Sequence, residues 1–365
     1  MRIGINGFGR IGRLVIRSAL ERGIDLDLVA INDRGSPEIN AHMLQFDSTY
    51  GPFKGRVEVA NGKILTNGKP IEISSFSNPL EIPWKDWGVD LVIESTGVFT
   101  NADKAAAHLQ AGAERVLITA PSKGAEITLV AGVNESDYHP DQHQIISAAS
   151  CTTNALAPVA SVLQNNFGIE SGMMTTIHSY TNDQRILDRS HTDPRRARAG
   201  AANIIPTSTG ATKALGIVIP ALAGRFHGIS YRVPTLTVSV VDLVVNLQRK
   251  ATVKEINNAL SDASIGRLKG VLDYTELELV SSDFRGNSHS AIVDGASTAL
   301  NKDLARIVVW YDNEWGYASR IVDLAAYISA REKEAEPPHR TWSVQPESLN
   351  RTIVMSGYAP ESPPL

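Results

Sequence analysis

The chain has a single cysteine, Cys151, in the stretch SAASCTTN. A free cysteine is ordinarily a small buried hydrophobe. Here Ser150 precedes it and Thr152, Thr153 and Asn154 follow, a run of donors suited to holding negative charge on a thiolate or an oxyanion. A nucleophilic thiol needs a base. Among nine histidines, His178 stands out. It closes the apolar run TTIH and precedes the polar SYTND, a usual place for a reacting side chain. A satisfied core histidine is the competing reading, and sequence alone does not put His178 beside Cys151.

Two further groupings suit phosphate chemistry. Arg195, Arg196 and Arg198 lie in DPRRARAG, and Arg232 in YRVPT. Thr207, Ser208 and Thr209 lie in IIPTSTGAT. Guanidinium groups, hydroxyls and glycine amides are what a phosphate site is made from, though a solvated charge run beside a Ser/Thr turn has the same composition. At the other end, Gly7, Gly9 and Gly12 form GxGxxG, with Asp33 at the end of the next apolar run. In a strand–turn–helix context these glycines permit a tight turn, close approach of a pyrophosphate, and close helix–strand packing. The helix N-terminus adds free N–H groups and partial positive charge. Asp33 suits adenosine ribose hydroxyls, whereas the adjacent Arg34 suits a 2′-phosphate or plain solvation.

These residues need elements to position them. RIGINGFGRIGRLVIRSALERG reads as strand, glycine turn and helix. LDLVAIND, VDLVIEST and RVLITAP read as buried parallel strands. NADKAAAHLQAGA reads as a helix capped by Asn101 and stopped at Gly112. Such alternation predicts a doubly wound sheet. After Cys151 the pattern changes. Residues 153–168 read as a helix in which Pro158 fits only the first turn, and 181–205 is polar and Arg-rich without clear period. YRVPTLTVSVVDLVVNLQ reads as one long strand over 231–248, and HSAIVDGASTAL and ARIVVWYDNE as more strands. The expected fold class is α/β: a Rossmann-type doubly wound parallel sheet over 1–150, joined by a C-terminal helix over 315–334, plus an α+β catalytic domain with a mostly antiparallel sheet over 151–314. Residues 335–365 form a Pro-rich tail, in which TWSVQPESL could dock locally.

At 365 residues there is enough chain for two cores. Apolar residues are 42%, charged residues 20% and net charge −4, so nothing points to membrane or obligate nucleic-acid binding. One cysteine rules out an internal disulfide and a cysteine-based zinc site within one chain, and no metal is expected. The N-terminus does not read as a signal peptide, and no apolar run approaches a membrane span, so a cytoplasmic protein is expected.

INGFGRIGR, SCTTN, HSYTNDQ, RRARA, PTSTGA, RVPT, SSDF and WYDNEWGY occur in this order along residues 1–330. Together they strongly resemble the phosphorylating glyceraldehyde-3-phosphate dehydrogenase family. The resemblance implies Cys151 as nucleophile and His178 as general base. It implies cofactor contacts from Gly7, Phe8, Gly9, Arg10, Ile11, Asp33, Arg34, Ser95, Thr96, Thr119 and Ser190, with Asn313 holding the nicotinamide carboxamide. It implies Thr181, Asp183 and Arg232 at the substrate's C3 phosphate. Ser150, Thr152, Thr209 and Arg196 fall at the attacking inorganic phosphate, with Arg196 near enough to serve both. NAD, NADP or both are the implied cofactors, glyceraldehyde 3-phosphate and phosphate the substrates, and a homotetramer the assembly.

The chain departs from the family pattern in places. Ala148 stands where Asn is usual, and Ala155 where a second Cys is frequent. LDYTELELVSSDF and HSAIVDG are also similar to the sister enzyme, erythrose-4-phosphate dehydrogenase, while HSYTND and PTSTG carry the triose enzyme's threonines. Intact Cys151, His178 and Arg232 count against a third reading, a non-catalytic nucleotide-binding protein. NAD-specific members resemble one another in having Pro in the segment matching LDRSHTD, where it crowds the adenosine 2′ position from the adjacent subunit and offers no donor. Here that position is Ser190, after Arg189, as in members that accept NADP. Asp33 argues the other way, and use of both cofactors is expected.

Overall fold

The computed structural model describes residues 1–335; the tail reading, including TWSVQPESL, lies outside them. In chain order the elements are β1 (Arg2–Asn6), α1 (Arg10–Glu21), β2 (Asp27–Asn32), α2 (Pro37–Gln45), β3 (Val57–Ala60), β4 (Lys63–Thr66), β5 (Lys69–Ser74), β6 (Leu91–Glu94), α3 (Ala102–Gln110), β7 (Arg115–Ile118), β8 (Ile127–Thr128) and β9 (Ile145–Ser147). Then come α4 (Cys151–Phe167), β10 (Ile169–Ser179), β11 (Ile205–Ser208), α5 (Ala211–Val218), β12 (Phe226–Val233), β13 (Ser239–Leu247), α6 (Val253–Ile265), β14 (Leu272–Thr275), β15 (Ala291–Asn301), β16 (Leu304–Tyr311) and α7 (Trp315–Ala335).

The first sheet runs β3-β4-β5-β2-β1-β6-β7-β9-β8. From β5 to β8 every pairing is parallel; β3 and β4 extend the edge antiparallel. Parallel strands buried on both faces explain their unbroken apolar runs. Ile3, Ile5, Leu91 and Ile93 pack toward α1 and α7, while Val92 packs with Trp84, and Val116 and Ile118 with α3. Strand order reverses at β1, between β2 and β6, which opens a crevice at their carboxyl ends. Asn101 caps α3 by accepting the Asp103 N–H at 2.8 Å.

The second sheet runs β11-β12-β10-β13-β16-β15-β14. Two pairs, β10–β12 and β14–β15, are parallel, and the other pairs are antiparallel. α4, α5 and α6 supply side chains to its core. Two local expectations are corrected. The single strand expected over 231–248 is two: β12 stops at Val233 before Pro234, which has no N–H for a ladder, and Val238 takes φ +69 before β13 begins. Pro158 is not in the first turn; it sits mid-helix in α4, which starts at Cys151 itself. Burial of that whole turn in the core offsets the lost backbone bond.

Candidate active site

Two tight approaches in the glycine turn shape the cofactor crevice. A Cβ on Gly7, at φ +92, would lie 2.6 Å from the Thr96 nitrogen, and one on Gly12 would lie 2.4 Å from the Gly7 carbonyl oxygen. A Cβ on Gly9 would meet nothing within 4 Å, so the space above the start of α1 is open. Gly9 is the N-cap of α1 and offers no side chain, so the helix's first N–H groups face that space. Gly7, Gly9, Asp33, Arg34, Ser95 and Thr96 line one cleft. Asp33 accepts the Phe8 N–H at 2.8 Å and the Gly35 N–H at 2.9 Å, and each oxygen keeps a lone pair for a ribose hydroxyl. This donor set fits a dinucleotide.

Other residues named from sequence have structural duties here. Ser95 donates to the Gly7 carbonyl at 2.6 Å, and the Thr119 hydroxyl to the Glu94 carbonyl at 3.0 Å. Phe8 is buried, Ile11 is partly buried, and Arg10 pairs with Asp47 and Glu314. Ser190 is not among the residues lining the cleft. It is exposed in the 181–205 segment, where its carbonyl accepts from Arg185.

The thiol lies where the two halves meet. Cys151 packs against both large cores and is the first residue of α4, whose N-cap Ser150 accepts the Thr153 N–H at 3.0 Å. A helix N-terminus favours a thiolate. Sγ stands 3.4 Å from His178 Nε2. On the far side of the ring, Nδ1 lies 2.7 Å from the Ser179 carbonyl oxygen. An Nδ1–H donated there leaves Nε2 free to take the thiol proton. Arg232 Nη1 lies 2.8 Å from the same Nδ1 but is itself only a donor; its bond goes to the Ser179 carbonyl at 3.1 Å. The parallel register of β10 with β12 sets His178 opposite Arg232.

Burial pushes the Cys151 thiol up, and the charge of Arg232 pulls against it. Burial, then Arg232, lowers His178 to about 3. The imidazole is thus a neutral acceptor. Both effects keep the resting pair uncharged, a thiol beside a neutral acceptor.

Around this pair, Arg196 pairs with Asp183 and donates to the Ser208 carbonyl at 3.2 Å. Thr181 bonds to Gln184 through its N–H at 2.9 Å. The Thr209 hydroxyl accepts the Ala211 N–H at 3.3 Å at the start of α5. Thr152 turns its hydroxyl to Tyr311 at 3.0 Å, and Tyr311 also meets Thr176 at 2.8 Å. Asn313 is buried, and its Oδ1 accepts from Ser239 at 2.9 Å, which leaves its NH2 group free.

Sequence reading took only Asn313 from WYDNEWGY and missed Tyr311, Asp312 and Tyr317. Asp312 is buried and accepts from Tyr50, Thr237 and the backbone of Glu314 and Trp315, which fixes the start of α7. An Asp three residues before a helical run was the available signal. Among the described residues, no group of three or more His, Cys, Asp or Glu could hold a metal ion, and no helix is long and apolar enough to cross a membrane.

Residues 1–102 match the family profile described as glyceraldehyde 3-phosphate dehydrogenase, NAD binding domain, and residues 150–313 match the C-terminal domain of the same family. The chain is 53% identical over 334 residues to glyceraldehyde-3-phosphate dehydrogenase 2 of Trichormus variabilis, covering 91% of this chain and 99% of that protein. It is 52% identical over 332 residues to the glyceraldehyde-3-phosphate dehydrogenase of Priestia megaterium, with the same coverage. It is 51% identical to that of Geobacillus stearothermophilus, again over 91% and 99%. With the thiol–imidazole pair, the dinucleotide crevice and these relatives together, the chain belongs to the glyceraldehyde-3-phosphate dehydrogenase family.

Proposed function

We propose that the protein oxidises glyceraldehyde 3-phosphate to 1,3-bisphosphoglycerate through a thioester on Cys151, reducing NAD(P) and consuming inorganic phosphate. The observation that carries this is Cys151 Sγ at 3.4 Å from His178 Nε2, with Arg232 across the ring. His178 takes the thiol proton, and the thiolate adds to the aldehyde carbon. The new oxyanion sits over the start of α4, where the Cys151 and Thr152 N–H groups stabilise it, and it takes the thiol proton back from His178 to become the hemithioacetal hydroxyl, which leaves His178 neutral again. His178 then removes the hydroxyl proton as hydride departs, leaving the thioester. Bound nicotinamide supplies the hydride acceptor, and Asn313 would hold its carboxamide through the free NH2 group. A phosphate oxygen attacks the thioester carbon, and the Cys151 thiolate leaves. Arg232, Thr181 and Asp183 are assigned to the substrate's phosphate, and Arg196, Ser150, Thr152 and Thr209 to the attacking phosphate. Ser150 and Thr152 would serve there with hydroxyls that already bond within the fold.

The relatives carry the triose enzyme's name, which favours this substrate over erythrose 4-phosphate. We divide the chain into a dinucleotide-binding part over 1–150, completed by α7, and a catalytic part over 151–314; extensive packing of α1 on α7 supports this. A cytoplasmic homotetramer is the assembly we assign, supported by the apolar side chains that 181–205 exposes. The test is NAD(P)H formation with each sugar phosphate, with and without inorganic phosphate. Turnover should need the triose and phosphate, and Cys151→Ser should abolish it while NAD still binds. Sustained turnover by Cys151→Ser would exclude the thioester route.

A further inference from the structure

The turn that presents Cys151 is strained and held from several sides. β9 ends at Ser147 and α4 begins at Cys151, so only Ala148, Ala149 and Ser150 join strand to helix. Ala149 takes φ +56 and is fully buried. A non-glycine residue in the left-handed region persists only where its surroundings hold it. The Ala149 N–H donates to Ser147 Oγ at 3.1 Å. Asn154 donates to the carbonyls of Ala148 at 2.9 Å and Ser150 at 3.0 Å. The Ala149 carbonyl itself accepts from the Tyr317 hydroxyl at 2.8 Å.

That last bond differs in kind from the others. Ser147 and Asn154 belong to the segment that contains the turn, whereas Tyr317 reaches in from α7, 168 residues away. Tyr317 is buried, and Ala149 is its hydroxyl's one recorded partner among the described residues. Burial, then the nearby thiol, pushes its phenol well above the ordinary value, so it stays a donor at working pH. The start of α7 is pinned by Asp312, next to Asn313. One rigid segment therefore carries both the residue assigned to the nicotinamide and the bond that holds the nucleophile's turn.

We propose that Tyr317 is a positioning residue for the nucleophile: through the Ala149 carbonyl it holds Cys151 at a fixed place relative to Asn313. This rests on the proposed roles of Cys151 and Asn313. Losing the bond lets the strained turn relax and moves Sγ, so the loss falls on hydride transfer and not on substrate binding.

The test is a cycle of Tyr317→Phe and Ala149→Gly, read by the single-turnover burst of NADH at saturating triose phosphate. Tyr317→Phe should slow the burst about tenfold, the worth of one buried hydrogen bond, with the Michaelis constant for the aldehyde nearly unchanged. Glycine tolerates the left-handed turn without strain. In the Ala149→Gly background, whatever its own rate, the Tyr317→Phe loss should therefore shrink to about threefold or less. An unchanged burst in Tyr317→Phe, or an equal loss in both backgrounds, would overturn the inference. If Tyr317→Phe does not fold, Ser147→Ala releases the same turn from its other side. It should give the same burst loss and the same rescue by Ala149→Gly, and a loss without rescue would overturn the inference. A burst that persists in Cys151→Ser would sink the thioester reading instead, whatever Tyr317 does.

Discussion

His178 combines two properties that a general base for a partly buried thiol needs. Its Nδ1 faces the Ser179 carbonyl, and burial with the Arg232 charge holds the ring neutral, with a value of about 3. His178→Asn should slow acylation by about 10²–10⁴-fold, the usual worth of a positioned base. Iodoacetamide should also alkylate Cys151 more slowly at neutral pH, because a thiol raised by burial has lost its proton acceptor; an unchanged alkylation rate would mean the two residues are not paired. Stability carries a second signature. The folded value lies below the free value of about 6.5, so between the two the unfolded chain binds the extra proton. Stability from this group is complete above about pH 6.5 and is lost as pH falls toward 3. Wild type should therefore lose about 1 kcal/mol more than His178→Asn between pH 7 and 5.5 in urea unfolding. Parallel curves would show that the histidine is not buried neutral.

At the scale of elements, the site depends on a parallel pair inside a mostly antiparallel sheet. β12 lies parallel to β10, with β11 and α5 intervening in the chain, and this register sets Arg232 opposite His178. An antiparallel hairpin would have needed only a short turn; the parallel pair needs a crossover. The same crossover segment carries Thr209 at the start of α5. Arg232→Ala should raise the Michaelis constant for glyceraldehyde 3-phosphate much more than for unphosphorylated glyceraldehyde, because in the proposed site the guanidinium binds the phosphate that only the first carries. Equal effects on both aldehydes would place Arg232 outside the phosphate site.

At the scale of the whole molecule, cofactor choice and assembly become one question. Ser190 is exposed and away from its own chain's crevice, in a segment where Ile186 and Leu187 are 89% and 77% exposed. In a tetramer of the proposed kind, Ser190 and Arg189 would reach a neighbour's adenosine site. Asp33 does not turn away freely, since doing so breaks its bonds to the Phe8 and Gly35 N–H groups. That weighs toward NAD and leaves NADP use to Ser190, Arg189 and Arg34. Ser190→Pro should reduce NADP turnover by about tenfold or more, one good polar contact, and spare NAD. Light scattering should report a tetramer; a stable monomer would remove the basis for Ser190's role.

The local patterns in the sequence determined much of this protein. Gly7, Gly9 and Gly12 before an amphipathic run, with Asp33 at the end of the next apolar one, made a dinucleotide crevice legible: Gly7 and Gly12 allow close backbone approaches, and Gly9 leaves the space above α1 open. The unbroken apolar strands of the first sheet were legible because burial on both faces leaves no polar alternation. The second sheet was legible only in outline. Pro234 and Val238 split one apparent strand, and the parallel placement of β12 depends on a crossover that periodicity does not encode. For the site, residue types suggested Cys151, His178 and Arg232 separately, but their meeting required three elements far apart in the chain. Tyr311, Asp312 and Tyr317 stayed unread, since a buried aromatic or carboxylate shows its role only through what it touches. Chemistry that needs residue types is written locally; chemistry that needs a 3.4 Å approach or a strained turn held from another helix is decided when the cores close around it.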